Sequence, residues 1–507
     1  MTKGPSRIAF LCSAGGANGY GHLRRSLTLA ECLDRSSDIL FFVSLSGNTL
    51  PFADDLAAVA AVETFSTVTA ALHAVGNANA DILILDTYET SPEQETSLAG
   101  CAAEILVIED RPGRAHPAAT RLLDPTLGRR RSDYDAFASE TCACFLGPRY
   151  TLIRPEFSRH DGRERGFAVS GTPRILIAFG GTDPIGATPK VMAALAGLDA
   201  DISAVLGSGA GCLEDARAVA RQYGMTLHTD LSGAAMADLM RRADLCIGAG
   251  GGTAWERCTA GVPTITYRIA ENQTDVLSGL GDAGAIAHAG DIQDATPEDI
   301  LASVSALLAD PGRRMALVQA GRTVCDGFGA RRIAAYLTGV AVPSGANIRL
   351  RPAAPGDCRI VFDWQVEPDA RRYARNPAVP GWAEHEAWFS SRLDRIGAPF
   401  LIVECDGNAA GFVRFDRVDN EGMATFEAAI MISRDYARRG IATAALRRAL
   451  SVECPGNVVA EVHPDNAASR RLFEKAGFVQ TDARHWTWRR EPPENHGAQA
   501  AVEGPET

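Results

Sequence analysis

Short apolar runs alternate with helix-patterned stretches along the first two thirds of the chain. Arg7–Cys12 (RIAFLC) predicts a buried strand, followed by a Gly-rich loop and a helix from about His22 to Leu33. Ile39–Leu45, Asp81–Asp86 (DILILD) and Glu104–Glu109 (EILVIE) repeat the strand pattern. Strands apolar on both faces, separated by helices, predict a parallel sheet in a doubly wound α/β layer. Composition turns polar over Ser158–Gly171, and the pattern then restarts. Arg174–Phe179 (RILIAF), Ala204–Leu206, Leu245–Ile247 and Pro263–Tyr267 are the next expected strands. Two such halves predict two Rossmann-like domains, residues 1–165 and 166–340, facing each other across a cleft.

The segment Val342–Asn347 (VPSGAN) is small and turn-forming and is expected to be a linker. Beyond it, Phe400–Cys405, Gly411–Asp416 and Phe426–Ile432 pattern as antiparallel strands, with a helix at about Ile441–Ser451. This is an α+β domain, residues 347–488. From Arg489 onward Pro, Glu, Gly and Ala leave almost nothing to bury, which predicts a disordered tail over 489–507.

Composition changes this picture little. A chain of 507 residues fits about three domains. No apolar run approaches the ~20 residues of a membrane helix, and the start of the chain lacks a secretory pattern. A net charge of −12 argues against a nucleic-acid partner. The 12 cysteines contain no CxxC pair, so no structural zinc site is expected. A cytoplasmic enzyme with reduced thiols and no metal is the expectation.

Candidate chemistry gathers where strands hand over to helices. Gly19-Tyr20-Gly21-His22-Leu23-Arg24-Arg25 follows the first strand and opens a helix. Glycines let the backbone turn and approach a ligand, and a helix N-terminus favours anions. His22 is suited to proton transfer near neutral pH, with Arg25 one turn on; the plainer alternative is that His22 only caps the helix. Gly248-Ala249-Gly250-Gly251-Gly252-Thr253 stands between a strand and a helix, where backbone N–H groups bind a diphosphate. Glu256 falls in that helix's first turn, placed either to accept from ribose hydroxyls or simply to face the dipole. Gly180-Gly181-Thr182-Asp183 and Ala270-Glu271-Asn272-Gln273 follow two other strands and point to the same crevice.

Together, GYGHLRRSLTLA, LILDTYET, GPRYTLIRPEF, IAFGGTDP and ADLCIGAGGGTAWERCTAGVPTITYRIAENQ, spanning about residues 7–335, resemble the UDP-sugar hydrolase of pseudaminic acid biosynthesis. That family is similar in fold to GT-B glycosyltransferases. The resemblance implies hydrolysis of UDP-2,4-diacetamido-2,4,6-trideoxy-β-L-altropyranose, with His22 as base or its orienter. It implies UDP held by Gly251, Gly252, Thr253 and Glu256, with Asn272 and Gln273 near the sugar and phosphates. Gly21, Arg25, Asp86, Tyr88, Gly181 and Thr182 complete the expected substrate site. The Asp of the family's Arg-x-Asp-Ala-Ser segment is absent from Leu11-Cys12-Ser13-Ala14, so Asp86 or Asp183 is the expected partner for His22. A glycosyltransferase, or a UDP-sugar-binding module without turnover, are the alternatives for this region.

In the last third, Glu427-Ala428-Ala429-Ile430-Met431-Ile432 patterns as a strand, then comes the loop and helix start Tyr436-Ala437-Arg438-Arg439-Gly440-Ile441-Ala442-Thr443. A basic Gly-containing loop before a helix offers N–H groups to a pyrophosphate; a solvated helix start is the plainer alternative. Asn466 reads as an N-cap and Gly477 as a helix stop. With Ser469 and Phe473, these segments resemble GNAT-family N-acetyltransferases. The resemblance implies acetyl-CoA against Ile430, Ile432, Arg438, Arg439, Gly440, Ile441, Ala442, Thr443, Asn466, Ser469 and Phe473. Glu427 is the candidate base, or a solvent-facing carboxylate. Phe473 stands where many members carry a Tyr acid. A fusion of the two activities, acting on UDP-linked amino and diacetamido sugars, is the expectation.

Overall fold

Leu83, Ile84 and Leu85 lie fully inside the protein, buried on both sides of a sheet as the continuous apolar run requires. The computed structural model describes residues 6–15, 19–47, 49–158, 171–368, 370–420, 423–453 and 456–489. The expected tail beyond Arg489 and the polar boundary over 159–170 lie outside the described residues. The chain divides into two compact units that meet between Thr338 and Gly339.

The first unit holds two parallel sheets. One is built from β1 (Arg7–Gly15), β2 (Asp38–Ser46), β3 (Ala61–Phe65), β4 (Ile82–Asp86), β5 (Glu104–Ile108), β6 (Arg121–Asp124) and β7 (Ala143–Leu146). The other contains β8 (Arg174–Ala178), β9 (Asp201–Leu206), β10 (Thr226–Thr229), β11 (Leu245–Gly248), β12 (Thr264–Arg268) and β13 (Ala287–Asp291). Their spatial orders are β3-β2-β1-β4-β5-β6-β7 and β10-β9-β8-β11-β12-β13. Each order reverses direction once, between β1 and β4 and between β8 and β11. Ligands bind at such switch points, beyond the carboxyl ends of the strands. Alternate residues of β8 face two different cores: Ile175 and Ile177 pack with Val191 and Ile202, whereas Leu176 and Ala178 pack with Trp255 and Met240.

The edge strands β3, β7, β10 and β13, and the four-residue interior strand β6, were not legible in the pattern. The strand β3 has no buried residue, and β10 and β13 are at most half-buried. Such strands carry little of the apolar signal that marks a buried run.

The second unit is one mixed sheet. It contains β14 (Val340–Ala341), β15 (Asn347–Pro352), β16 (Phe400–Cys405), β17 (Asn408–Asn420), β18 (Met423–Ile432), β19 (Asn457–Glu461), β20 (Val479–Gln480) and β21 (His485–Trp488). Neighbours pair antiparallel except β18 with β19. The expected linker Val342–Asn347 is a correction. Val340 pairs with Ile348, and Val342 and Ala346 close a hairpin through a 2.9 Å hydrogen bond. The small residues serve a turn inside the sheet, not a tether between domains.

Two candidate sites in the first unit and a splayed sheet in the second

The carboxyl ends of β1 and β4 build the first site. The two strands run in register, Cys12 beside Asp86. His22 lies in the first turn of the helix Gly21–Cys32, whose N-cap is Tyr20. Its side chain does not cap the helix. Nδ1 lies 2.6 Å from Oδ1 of Asp86. Arg25 Nη2 also lies 3.1 Å from Nδ1, but the shorter contact, to the buried carboxylate, favours the tautomer with the proton on Nδ1 and Nε2 as the basic atom. Arg25 grips the same carboxylate, Nε at 3.0 and 2.8 Å from its two oxygens and Nη2 at 2.5 Å, and the Ser26 hydroxyl donates to it at 3.0 Å. Burial pushes the Asp86 carboxyl up, but the Arg25 charge and the hydrogen bonds from His22 and Arg25 outweigh it and bring it to about 2.

Tyr88 packs edge-on against His22, ring centroids 4.5 Å apart. Its hydroxyl donates to Asp110, which also meets Arg25 at 3.3 Å. Burial and the Asp110 charge raise the phenol far above its usual range. Asp110 had no sequence signal, being one acid among 62. Asp183 does not substitute for the missing family Asp. It accepts from the N–H groups of Ala187 and Thr188 at 2.9 and 2.7 Å and starts the next helix.

The second site lies at the switch point of the other sheet. The helix Thr253–Ala260 begins directly after the glycines, with Gly252 at its N-cap. Gln273 locks the loop, since its Oε1 accepts from Gly250 N at 3.2 Å and Ile269 N at 3.3 Å. Glu256 pairs through one oxygen with Arg154, at 2.8 and 3.1 Å. Gly181 and Thr182 stand exposed after β8, and the Gly181 carbonyl accepts from Gly207 N at 2.8 Å. The side chain of Asn272 lies outside the described residues. Among the described residues no hydrogen bond or ion pair joins the His22 cluster to this loop. Sequence reasoning missed Arg257, which is fully buried behind the glycines and donates to Ala249 O and, at 3.2 Å, to the Thr253 hydroxyl.

In the second unit the ladder between β18 and β19 covers only Thr425–Glu427 against Asn457–Val459. Beyond Glu427 the two strands part. Ile430 and Ile432 keep their partners on β17 and turn their other edge to the opening. Arg438 and Gly440 take positive φ, +62° and +81°, just before the helix Ile441–Glu453. The N–H groups of the first helical turn, Ala442 and Thr443 included, have no partner within the helix and stand beside this left-handed loop. Arg439 stacks over Tyr436. Asn466 caps the next helix, accepting from Ser469 N at 3.0 Å, and Gly477 ends it with a φ of +95°.

Two expected residues sit differently. Glu427 is not a free carboxylate: Arg375 lies 2.6 Å from it and also bridges Glu461 at 2.5 Å. Phe473 is buried against Phe478, centroids 4.9 Å apart, so it serves the core. No helix among the described residues is long and apolar enough to cross a membrane.

Comparison with known proteins agrees with this division. Residues 347–479 match the family model described as Acetyltransferase (GNAT) domain. The spore coat polysaccharide biosynthesis protein SpsG of Bacillus subtilis is 25% identical over 338 residues, covering 65% of this chain and 97% of SpsG. The uncharacterized protein MJ1062 of Methanocaldococcus jannaschii is 22% identical over 506 residues, covering 94% of this chain and 97% of its own. The crystal structure of MurG from Acinetobacter baumannii is similar with a TM-score of 0.47 and 16% identity, over 65% of this chain and 98% of that one. The chain thus joins a GNAT acetyltransferase domain, residues 347–479, to a region similar to SpsG.

Proposed function

We propose that the protein is a bifunctional nucleotide-sugar enzyme. The GNAT domain transfers acetyl from acetyl-CoA to the amine of a UDP-linked 4-amino sugar. The first unit then hydrolyses the resulting UDP-2,4-diacetamido-2,4,6-trideoxy-β-L-altropyranose to UDP and free sugar. The observation that carries the reading is the His22–Asp86 pair at the β1/β4 switch point, in a chain that also carries an acetyltransferase domain.

Hydrolysis needs an activated water and a stabilised leaving group. Nε2 of His22 takes a proton from water as its oxygen bonds the anomeric carbon. The bond from that carbon to the diphosphate oxygen breaks, and UDP leaves with the electron pair. The Gly251–Thr253 N–H groups and the helix dipole meet the diphosphate charge. Asp86 holds the imidazole in the tautomer that leaves Nε2 basic and stabilises the imidazolium that forms.

In the GNAT domain, the opening between β18 and β19 and the loop and helix start at Arg438–Thr443 fit a thioester carried on a pyrophosphate. Glu427 accepts the proton of the acceptor ammonium once Arg375 has swung away. The freed amine attacks the thioester carbonyl, the carbon–sulfur bond breaks, and the nitrogen's second proton passes to the leaving sulfur, which departs as the thiol. Two sites on one chain raise the effective concentration of the shared sugar nucleotide.

Mass spectrometry of a UDP-4-amino sugar incubated with the whole protein and acetyl-CoA tests both steps. An added acetyl group and then UDP loss are expected. UDP loss only when an acceptor sugar is supplied identifies a glycosyltransferase instead, and no change in either sugar nucleotide sinks the proposal.

A further inference from the structure

Arg257 is fully buried, and no carboxylate lies within ion-pair distance of it among the described residues. Its Nε has no hydrogen-bond partner among the described residues. Its two other nitrogens donate to Ala249 O and to the Thr253 hydroxyl. Thr253 is the first residue of the helix Thr253–Ala260, so the guanidinium lies at the positive end of that helix's dipole, where a cation is disfavoured.

Arg314 gives the contrast. It is equally buried but donates to the carbonyls of Leu307 and Leu308. Those carbonyls end the helix Pro297–Ala309, at the negative end of a dipole. The Nε of Arg314 likewise makes no hydrogen bond among the described residues, but its charge sits at the favourable end of a helix dipole, whereas that of Arg257 sits at the unfavourable end. The nearest carboxylate along the helix, Glu256, is already paired with Arg154. Glu256 is therefore not available to Arg257, whose guanidinium keeps only a carbonyl and a hydroxyl as partners among the described residues. A buried unpaired charge costs free energy that something must offset.

The chain also makes room for this arrangement. A Cβ at Gly248 would lie 2.7 Å from Arg257 Nη1 and 2.4 Å from Ala178 O. The peptide between Ala249 and Gly250 is clamped on both sides, its carbonyl by Arg257 and its N–H by Gln273. That clamp fixes the orientation of the glycines that follow.

We propose that Arg257 is the positioning residue of an anion site on the Gly-rich loop, holding the loop from behind while its charge is balanced by a bound diphosphate. This rests on the reading that UDP binds at this loop.

Calorimetric titration of the full-length protein with UDP, inorganic pyrophosphate and uridine tests it, in wild type, Arg257→Met and Arg257→Lys. UDP and pyrophosphate affinities are expected to fall by about tenfold or more in Arg257→Met, as loss of a charge-assisted contact implies, with uridine affinity unchanged. Arg257→Lys, which keeps the charge but not the two-pronged grip, is expected to lose about threefold or more for both anions. If Arg257→Met does not fold by circular dichroism, Arg257→Lys decides alone. Anion affinities kept in the folded variants overturn the role of Arg257 only. Wild-type protein that binds neither UDP nor pyrophosphate overturns the underlying reading as well.

Discussion

His22 and Asp86 meet at 2.6 Å across 64 residues of chain, one opening the helix after β1 and the other closing β4. The two strands are in-register neighbours, with Cys12 beside Asp86. A carboxylate at that strand end therefore faces the first turn of the helix beside it. Replacing Asp86 by Asn keeps the shape but no longer enforces the tautomer with a basic Nε2. UDP release by Asp86→Asn is expected to fall by about 10²–10⁴-fold, with UDP binding retained. A coupled assay for UDP reads it, and near-wild-type turnover in Asp86→Asn or His22→Ala removes the pair from the mechanism.

The same carboxylate ties stability to acid. Its pKa in the folded protein is about 2, against an ordinary value of 3.8. A depressed value contributes stability that is complete above the unfolded pKa and is lost as pH falls through the folded one. Urea midpoints of the wild type are expected to drop between about pH 4 and pH 2, and Asp86→Asn to show a shallower drop there. Parallel curves for the two proteins would contradict the assignment.

His116 carries the opposite sign. It is fully buried between Glu95, at 3.2 Å, and Glu109, at 3.4 Å. Burial lowers its pKa, but the two carboxylates outweigh that and raise it above 6.5. Its contribution is complete below the unfolded value and is lost as pH rises through the folded one. His116→Leu leaves two buried carboxylates with Arg114 as their remaining cation. A loss of about 3–5 kcal/mol is expected at neutral pH by denaturant titration. The gap from wild type should narrow as pH rises.

In the acetyltransferase domain, Glu427→Gln is expected to slow acetyl transfer by about 10²-fold or more while CoA affinity stays constant. Arg375→Ala removes a largely exposed ion-pair partner of that carboxylate and is expected to leave the rate intact or raise it. Thiol release monitored with a chromogenic reagent separates the two. Full activity in Glu427→Gln would assign proton removal to another group.

The buried parallel strands were readable because a strand covered on both faces must be apolar at every position, as β4 is. The edge strands were not readable, because β3 and β10 bury too little to carry a pattern. Gly-rich loops before helices stood out because close backbone approach excludes side chains, and Gly248 shows that constraint twice over.

Residue types, strand–loop–helix order and the GNAT resemblance over 347–488, of which 347–479 matches the family model, were determined by the sequence alone. The partner of each candidate group was decided by the tertiary structure. Asp86 rather than Asp183 serves His22, Arg375 occupies Glu427, and Arg257 stands behind the glycines without a carboxylate partner among the described residues. The physical reason is that periodicity reports burial within one element. Hydrogen bonds and ion pairs depend on which strand ends the crossovers bring side by side, and no local pattern encodes that.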